Sequence, residues 1–220
     1  MIQDIRDVEI VKPARPLTLQ TLGEAAVTLS TLDRELASVL EKHGPPPMWG
    51  RTPGFVTLVR IILEQQVSLI SARSMFRRLT ANIQPFTPER FLELGEPYLR
   101  SLGVTRQKSA YFVSLAEATV AGSLSKLSRL SDDAARDVLM HIKGIGPWTA
   151  DIYLLMVLKR PDIWPNGDVA LATAVMNLKQ LRRRPSFPQL QQTAEDWRPF
   201  RSVAARMLWQ YYLANRERRS

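Results

Sequence analysis

Apolar residues recur along this chain at spacings of three and four, and no stretch shows a sustained two-residue alternation, so the pattern predicts helices throughout and an all-α fold. Ser30 reads as the cap of a helix whose Leu32, Leu36, Val39 and Leu40 share one face, stopping at Gly44 ahead of Pro45-Pro46-Pro47. Thr52-Pro53 reads as a cap followed by proline at the first helical position. It opens a nearly continuous apolar run from Phe55 to Leu63, which predicts a helix buried on all sides. Ser68 starts the next helix (Ile70, Met75, Phe76, Leu79), and Thr87-Pro88 repeats the cap-plus-proline signature before Phe91, Leu92 and Leu94. Thr105 begins a helix through Ala110, Val113 and Val120 to Gly122, and Ser131, followed by Asp132 and Asp133, one through Ala134, Val138, Leu139 and Ile142. Asp168 can cap a helix over Val169–Leu178, and Pro199 is expected to open a last one with Phe200, Val203, Met207, Leu208 and Tyr211 inward.

Composition narrows the chemistry. The 220 residues include no cysteine and two histidines, His43 and His141, which excludes disulfides, a thiolate nucleophile and cysteine-ligated metals and leaves little for a histidine site. Catalysis would have to use carboxylates, hydroxyls, lysines or the backbone. The net charge of +9 points to a polyanion as partner. That excess sits in two blocks, +5 over residues 51–110 and +7 from 169 to the end, on either side of a near-neutral centre. No apolar window reaches membrane-spanning length, and the acidic start lacks the basic patch of a signal peptide, so no membrane partner and a cytoplasmic location on chromosomal DNA are expected. Arg182-Arg183-Arg184, ending at Pro185, reads as a solvated or phosphate-facing turn rather than a nuclear signal.

The segment that carries chemistry is the hairpin at 139–155. In it Ile142-Lys143-Gly144-Ile145-Gly146 joins two amphipathic helices, and Pro147 suits the first position of the second. Such a turn brings bare backbone close to a ligand and offers the unpaired N–H groups of a helix start to an anion, for which a phosphodiester is the natural occupant. The same glycines would also serve a tight turn with no ligand. Beyond it, Asp168 follows Trp148 by twenty residues, after a Pro165-Asn166-Gly167 turn.

Several motifs in order then make the sequence resemble the helix-hairpin-helix DNA glycosylases with a Gly/Pro-rich loop and downstream aspartate, in particular the alkylation-repair branch of 3-methyladenine DNA glycosylase II type, in compact form. They are Ile62-Leu63-Glu64-Gln65-Gln66-Val67-Ser68, Leu102-Gly103-Val104 with Lys108, Ile142 to Ala150, Asp162-Ile163-Trp164-Pro165 with Gly167-Asp168, and Trp197-Arg198-Pro199-Phe200-Arg201-Ser202 leading to Trp209. The resemblance implies two helical subdomains with the active-site cleft between them. Residues 1–50, an arm over 1–16 and then helices, would pack on the C-terminal subdomain, and 51–220 would form the glycosylase domain. Residues 51–165 would hold much of one subdomain, with Pro45–Pro47 as the candidate hinge.

The resemblance also implies roles. Asp168 is the catalytic carboxylate of a base-excision enzyme, and the chemistry agrees, since breaking an N-glycosidic bond puts positive charge on the sugar that a fixed anion stabilises. Lyase-competent relatives carry a lysine where this chain has Trp148, and tryptophan cannot form a Schiff base, so a monofunctional enzyme that leaves an abasic site is implied. Trp148 and Trp209 would line a pocket for cationic alkylated purines, with Gln65, Tyr153 and Ile152, the last standing where some relatives place an aromatic. Gln66 would fill the gap left by the flipped base. Duplex DNA containing damaged bases would be held by Gln66, Ser68, Lys143, Gly144, Ile145, Gly146, Thr149, Arg201 and Ser202, with Arg73, Arg77 and Arg78 on further phosphates. A monovalent Na+ or K+ at the carbonyls of Ile142 and Ile145 is the sole ion implied, no cofactor is required, and a monomer is expected. Two other readings stay open at this point: excision of a deaminated or oxidised base, and a non-catalytic DNA-binding module that keeps the hairpin.

Overall fold

The structure is a computed structural model that describes residues 14–217, all of whose regular elements are helical. Eleven α-helices are described: α1 Leu19–Leu32, α2 Arg34–His43, α3 Phe55–Glu64, α4 Leu69–Asn82, α5 Pro88–Ser101, α6 Arg106–Val120, α7 Asp132–Met140, α8 Pro147–Met156, α9 Val169–Leu178, α10 Phe187–Glu195 and α11 Arg201–Glu217. Among the described residues no helix is long and apolar enough to cross a membrane.

The predicted caps at Ser68, Thr87, Thr105, Ser131 and Asp168 all accept a backbone N–H from the first turn of their helices. Three predicted starts differ. Ser30 lies inside α1, its hydroxyl turned back onto the Val27 carbonyl (2.7 Å), and two helices replace the single one expected. Thr18 caps α1 in a reciprocal box with Thr21, and Asp33 caps α2. Thr52-Pro53 gives way to Gly54, whose φ of 123° and carbonyl bond from Leu58 open α3. Pro199 precedes α11 instead of opening it, because Trp197–Phe200 closes a turn (Phe200 N to Trp197 O, 2.8 Å) first. α10, capped by a Ser186–Gln189 box, was not among the predicted elements. Most of the predicted N-terminal arm lies outside the described residues.

The chain forms two compact units. One takes in Gly54–Gly144. There α5 packs on α6 and α3 on α4 and α6. Its core holds the edge-to-face rings of Phe55, Phe86, Phe91 and Phe112, with Arg60 stacked on Phe76 at 4.8 Å. α3 departs from the expectation of burial on all sides: Phe55, Leu58, Val59, Ile61, Ile62 and Leu63 are buried, but Val56 (41% exposed) and Arg60, one turn apart, keep a stripe at the surface.

The other unit joins Arg15–Pro53 to the chain from Ile145 onward. α11 packs on α1, α2 and α9. The α2 cap is tied into this core: Asp33 Oδ2 accepts from Trp197 Nε1 (3.0 Å) and faces Lys179 (3.4 Å). Burial works to raise the Asp33 pKa, but the Leu36 N–H, the Trp197 indole and the Lys179 charge hold it below the ordinary carboxylate value. Arg206, fully buried on α11, donates from Nη2 to the Leu155 carbonyl (2.9 Å) and from Nη1 to the Met48 carbonyl. Burial pushes this guanidinium down to about 10.

Candidate active site

Asp168 stands at the N-terminus of α9, 8% exposed. The Leu171 N–H donates to Oδ1 (2.9 Å) and the Trp148 indole Nε1 to Oδ2 (3.1 Å). Both oxygens are thus engaged and the plane of the carboxylate is set. Catalysis and helix capping are both readings of this residue in the sequence, and they are compatible, since each oxygen accepts one hydrogen bond and keeps a second lone pair. Trp148 is partly exposed in the first turn of α8, and its indole Nε1–H orients Asp168. Trp209 is also partly exposed, on α11 between buried Leu208 and half-buried Gln210.

The hairpin turn lies between α7 and α8. Gly144 takes φ 92°, and a Cβ there would collide with the Tyr111 ring, so a side chain is excluded both by conformation and by contact. Gly146 has an ordinary extended φ of −89°, and a Cβ on it meets nothing within 4 Å. One glycine therefore serves the turn and the other keeps an approach to α8 open. We expect Gly144→Ala to lose about 3 kcal/mol of stability, from strain and overpacking. Gly146→Ala should stay within about 0.5 kcal/mol of wild type yet weaken DNA binding, which urea denaturation and DNA titration separate. Beside the turn, Glu96, Arg106, Gln107, Ala110, Tyr111 and Lys143 line a depression of about 520 Å³.

The α3–α4 turn is unusual. Gln66 is exposed at φ 56°, and Val67, Leu69 and Ile70 beyond it are 46%, 51% and 80% exposed. Ser68 caps α4 through its hydroxyl. Gln65 differs from the expectation of a pocket residue, since its amide Nε2 donates to the Gly144 carbonyl (3.0 Å) and braces the hairpin.

Other predicted contacts are corrected by burial. The side chains of Tyr153 (1% exposed), Ile152 (5%), Thr149 (2%) and Ile145 (4%) offer no surface to a ligand, because α8 is enclosed from Thr149 to Leu155. Ser202 is wholly buried, accepting from Ile163 N (2.8 Å) and donating to Ile163 O (3.1 Å), so it fastens the segment before Asp168 instead of touching DNA. Arg201 spends its guanidinium on Asp162 and Glu195 and contributes no free charge for a phosphate. Arg78 donates to the Leu102 carbonyl (3.2 Å), while Arg73 and Arg77 are exposed on α4. Sequence reasoning gave Tyr111 no part, and no local signal marks it, since its partner Gly144 is far along the chain.

Helices throughout the described residues, a glycine turn before a helix start and a helix-capping carboxylate twenty residues beyond the Trp148 indole are the features to set beside known folds. The chain belongs to the HhH-GPD superfamily of base excision DNA repair proteins, whose profile matches residues 59–199. It is 29% identical over 198 residues to DNA-3-methyladenine glycosylase 1 of Schizosaccharomyces pombe, covering 86% of this chain and 87% of the relative. Its fold is similar to that of a Schizosaccharomyces pombe 3-methyladenine DNA glycosylase solved with abasic DNA (TM-score 0.74, 26% identity, 85% of this chain and 95% of that one). It is also similar to a DNA-3-methyladenine glycosidase from Bacillus halodurans (TM-score 0.76, 26% identity, 88% and 91%).

Proposed function

We propose that this protein is a monofunctional DNA glycosylase that flips alkylated purines of the 3-methyladenine and 7-methylguanine type out of duplex DNA and hydrolyses their N-glycosidic bond, leaving an abasic site. The observation that carries this reading is the Asp168 carboxylate held between the Leu171 N–H and the Trp148 indole. A negative group fixed in this way stabilises the positive charge that develops on the deoxyribose as the base departs, and orients the attacking water. An alkylated purine is itself cationic and leaves readily, so one carboxylate suffices. The names of the similar glycosylases support the same substrate class.

The remaining roles follow from what each residue exposes. Trp148 and Trp209 offer aromatic surface for a cationic base. Gly144, Gly146 and the exposed Lys143 form the phosphate grip of the hairpin, and Arg73 and Arg77 add sequence-independent contacts. Gln66, exposed at the α3–α4 turn, takes the space vacated by the flipped base. The Ile142 and Ile145 carbonyls, neutral oxygens with no carboxylate beside them in the turn, are of the type that suits Na+ or K+. The protein would act as a monomer on chromosomal DNA.

The test is release of methylated bases from alkylated duplex DNA, scored with and without hot alkali. The expected result is free 3-methyladenine or 7-methylguanine and strand breaks only after alkali. Breaks without alkali would overturn the monofunctional assignment. Duplex binding with no base released would leave the hairpin as a grip without the chemistry.

A further inference from the structure

The turn that presents Gln66 adopts a backbone conformation that glutamine does not favour. Gln66 sits at φ 56°, in the left-handed region, where a residue with a Cβ is strained by roughly 1–3 kcal/mol. Something outside the turn must over-determine it. Gln65, its neighbour, caps the end of α3 with its N–H on the Ile62 carbonyl (3.3 Å). The Gln65 carbonyl belongs to the peptide group that joins Gln65 to Gln66, and the orientation of that plane fixes the φ of Gln66.

Lys108 takes hold of this peptide. It sits in the first turn of α6, its backbone N–H on the cap Thr105 (3.3 Å). Its Nζ donates to the Leu63 carbonyl (2.9 Å) and to the Gln65 carbonyl (3.0 Å). The carbonyl of Leu63 in the last turn of α3 and that of the C-cap Gln65 thus receive one cation. No carboxylate among the described residues pairs with this ammonium, and burial lowers its pKa. The Gln65 side chain extends the bracket to the hairpin through the Gly144 carbonyl (3.0 Å), and Tyr111, one turn along α6 from Lys108, backs Gly144 with its ring while Gln107 donates to its hydroxyl (2.6 Å).

We infer that Lys108 is a positioning residue for base excision: by binding the Leu63 and Gln65 carbonyls it keeps the Gln65–Gln66 peptide in the orientation that projects Gln66 from the α3–α4 turn, in register with the hairpin at Gly144. The inference rests on the proposed gap-filling role of Gln66. Lys108 touches no substrate; it acts through the backbone of the residue that does.

The experiment is a double-mutant cycle on the full chain, with single-turnover release of 7-methylguanine from a defined duplex. The variants are Lys108→Met, Gln66→Ala and the two combined, with Lys108→Arg as rescue. Methionine keeps the length of the stem and removes the donors. Lys108→Met should slow release about tenfold beside Gln66, by misplacing a contact residue, and less than about twofold in the Gln66→Ala background. Lys108→Arg should restore most of the rate. A 2-aminopurine opposite a tetrahydrofuran abasic analogue should lose its fluorescence response equally in Lys108→Met and Gln66→Ala. Equal slowing by Lys108→Met in both backgrounds would overturn the inference and leave the role of Gln66 standing. An unaffected Gln66→Ala would instead overturn the gap-filling reading, and the inference with it. Should the methionine variant not fold, Lys108→Gln enters the same cycle.

Discussion

Asp168→Asn is expected to slow base release by about a hundred- to a thousand-fold, the effect seen when one preorganised charge-stabilising group is removed from an active site. The fold should barely register the change. Asparagine still offers an oxygen to the Leu171 N–H, and it is among the best capping residues. What it cannot do is accept at both positions, so its NH2 would meet the Trp148 Nε1–H donor to donor. The lost indole bond lowers stability by about 1 kcal/mol, or about 2–4 °C in the unfolding midpoint. Asp168→Ala removes the cap as well and costs about 1 kcal/mol more, with a similar loss of rate. Single-turnover kinetics beside a thermal melt separate the two effects. An asparagine variant that kept more than about a tenth of the wild-type rate would remove the carboxylate from the chemistry.

The largest expected effect on stability belongs to Arg206. Its guanidinium is fully buried, pairs with no carboxylate among the described residues, and satisfies the carbonyls of Leu155 and Met48. Arg206→Ala leaves a cavity, a buried acceptor at Leu155 and a part-buried one at Met48 without their donor, partly offset by release from burying a charge. The expected net loss is about 3–5 kcal/mol, a large share of the stability of a domain this size. Arg206→Met refills the volume while still orphaning the carbonyls, and should lose only about 1–3 kcal/mol. Urea titration with an unchanged slope checks both values. Because the Leu155 carbonyl lies near the end of α8, whose first turn carries Trp148, the alanine variant should also lose activity before it unfolds. If alanine is no worse than methionine, the side chain fills space and its hydrogen bonds contribute nothing.

What the sequence disclosed was local. A Ser or Thr three residues before its backbone partner is visible in the chain, and Ser68, Thr87, Thr105 and Ser131 cap the helices predicted from them. The same logic would have found α10 from Ser186 and Gln189, whereas the Thr18–Thr21 box at α1 lacks the usual Glu or Gln. Among the candidate site residues, those singled out by residue type alone, Asp168, Trp148 and the two hairpin glycines, lie within one hairpin and one helix start. The site was illegible where a distant partner decides the role. Ser202 and Arg201 looked like contact residues until Ile163 and Asp162, thirty-nine positions upstream, claimed their polar atoms. Gln65 looked like a pocket residue until Gly144 took its amide. Lys108 stood in a matching motif with no role, because nothing in its neighbourhood along the chain points to the end of α3.

The threading of the two units has a consequence for the order in which the protein is made. The described helices of one unit all lie within the single stretch Gly54–Gly144, so each meets its partners soon after leaving the ribosome. The other unit is split by that insertion. α1 and α2 are translated early, yet the surface they pack on is α11, the last helix described. Leu22, Leu29, Leu36 and Val39, all but wholly buried in the finished protein, cannot reach that cover until nearly the whole chain has emerged. Before α11 is made, the faces that α1 and α2 turn toward it have no such cover, which makes them a segment a nascent-chain chaperone would have reason to shield.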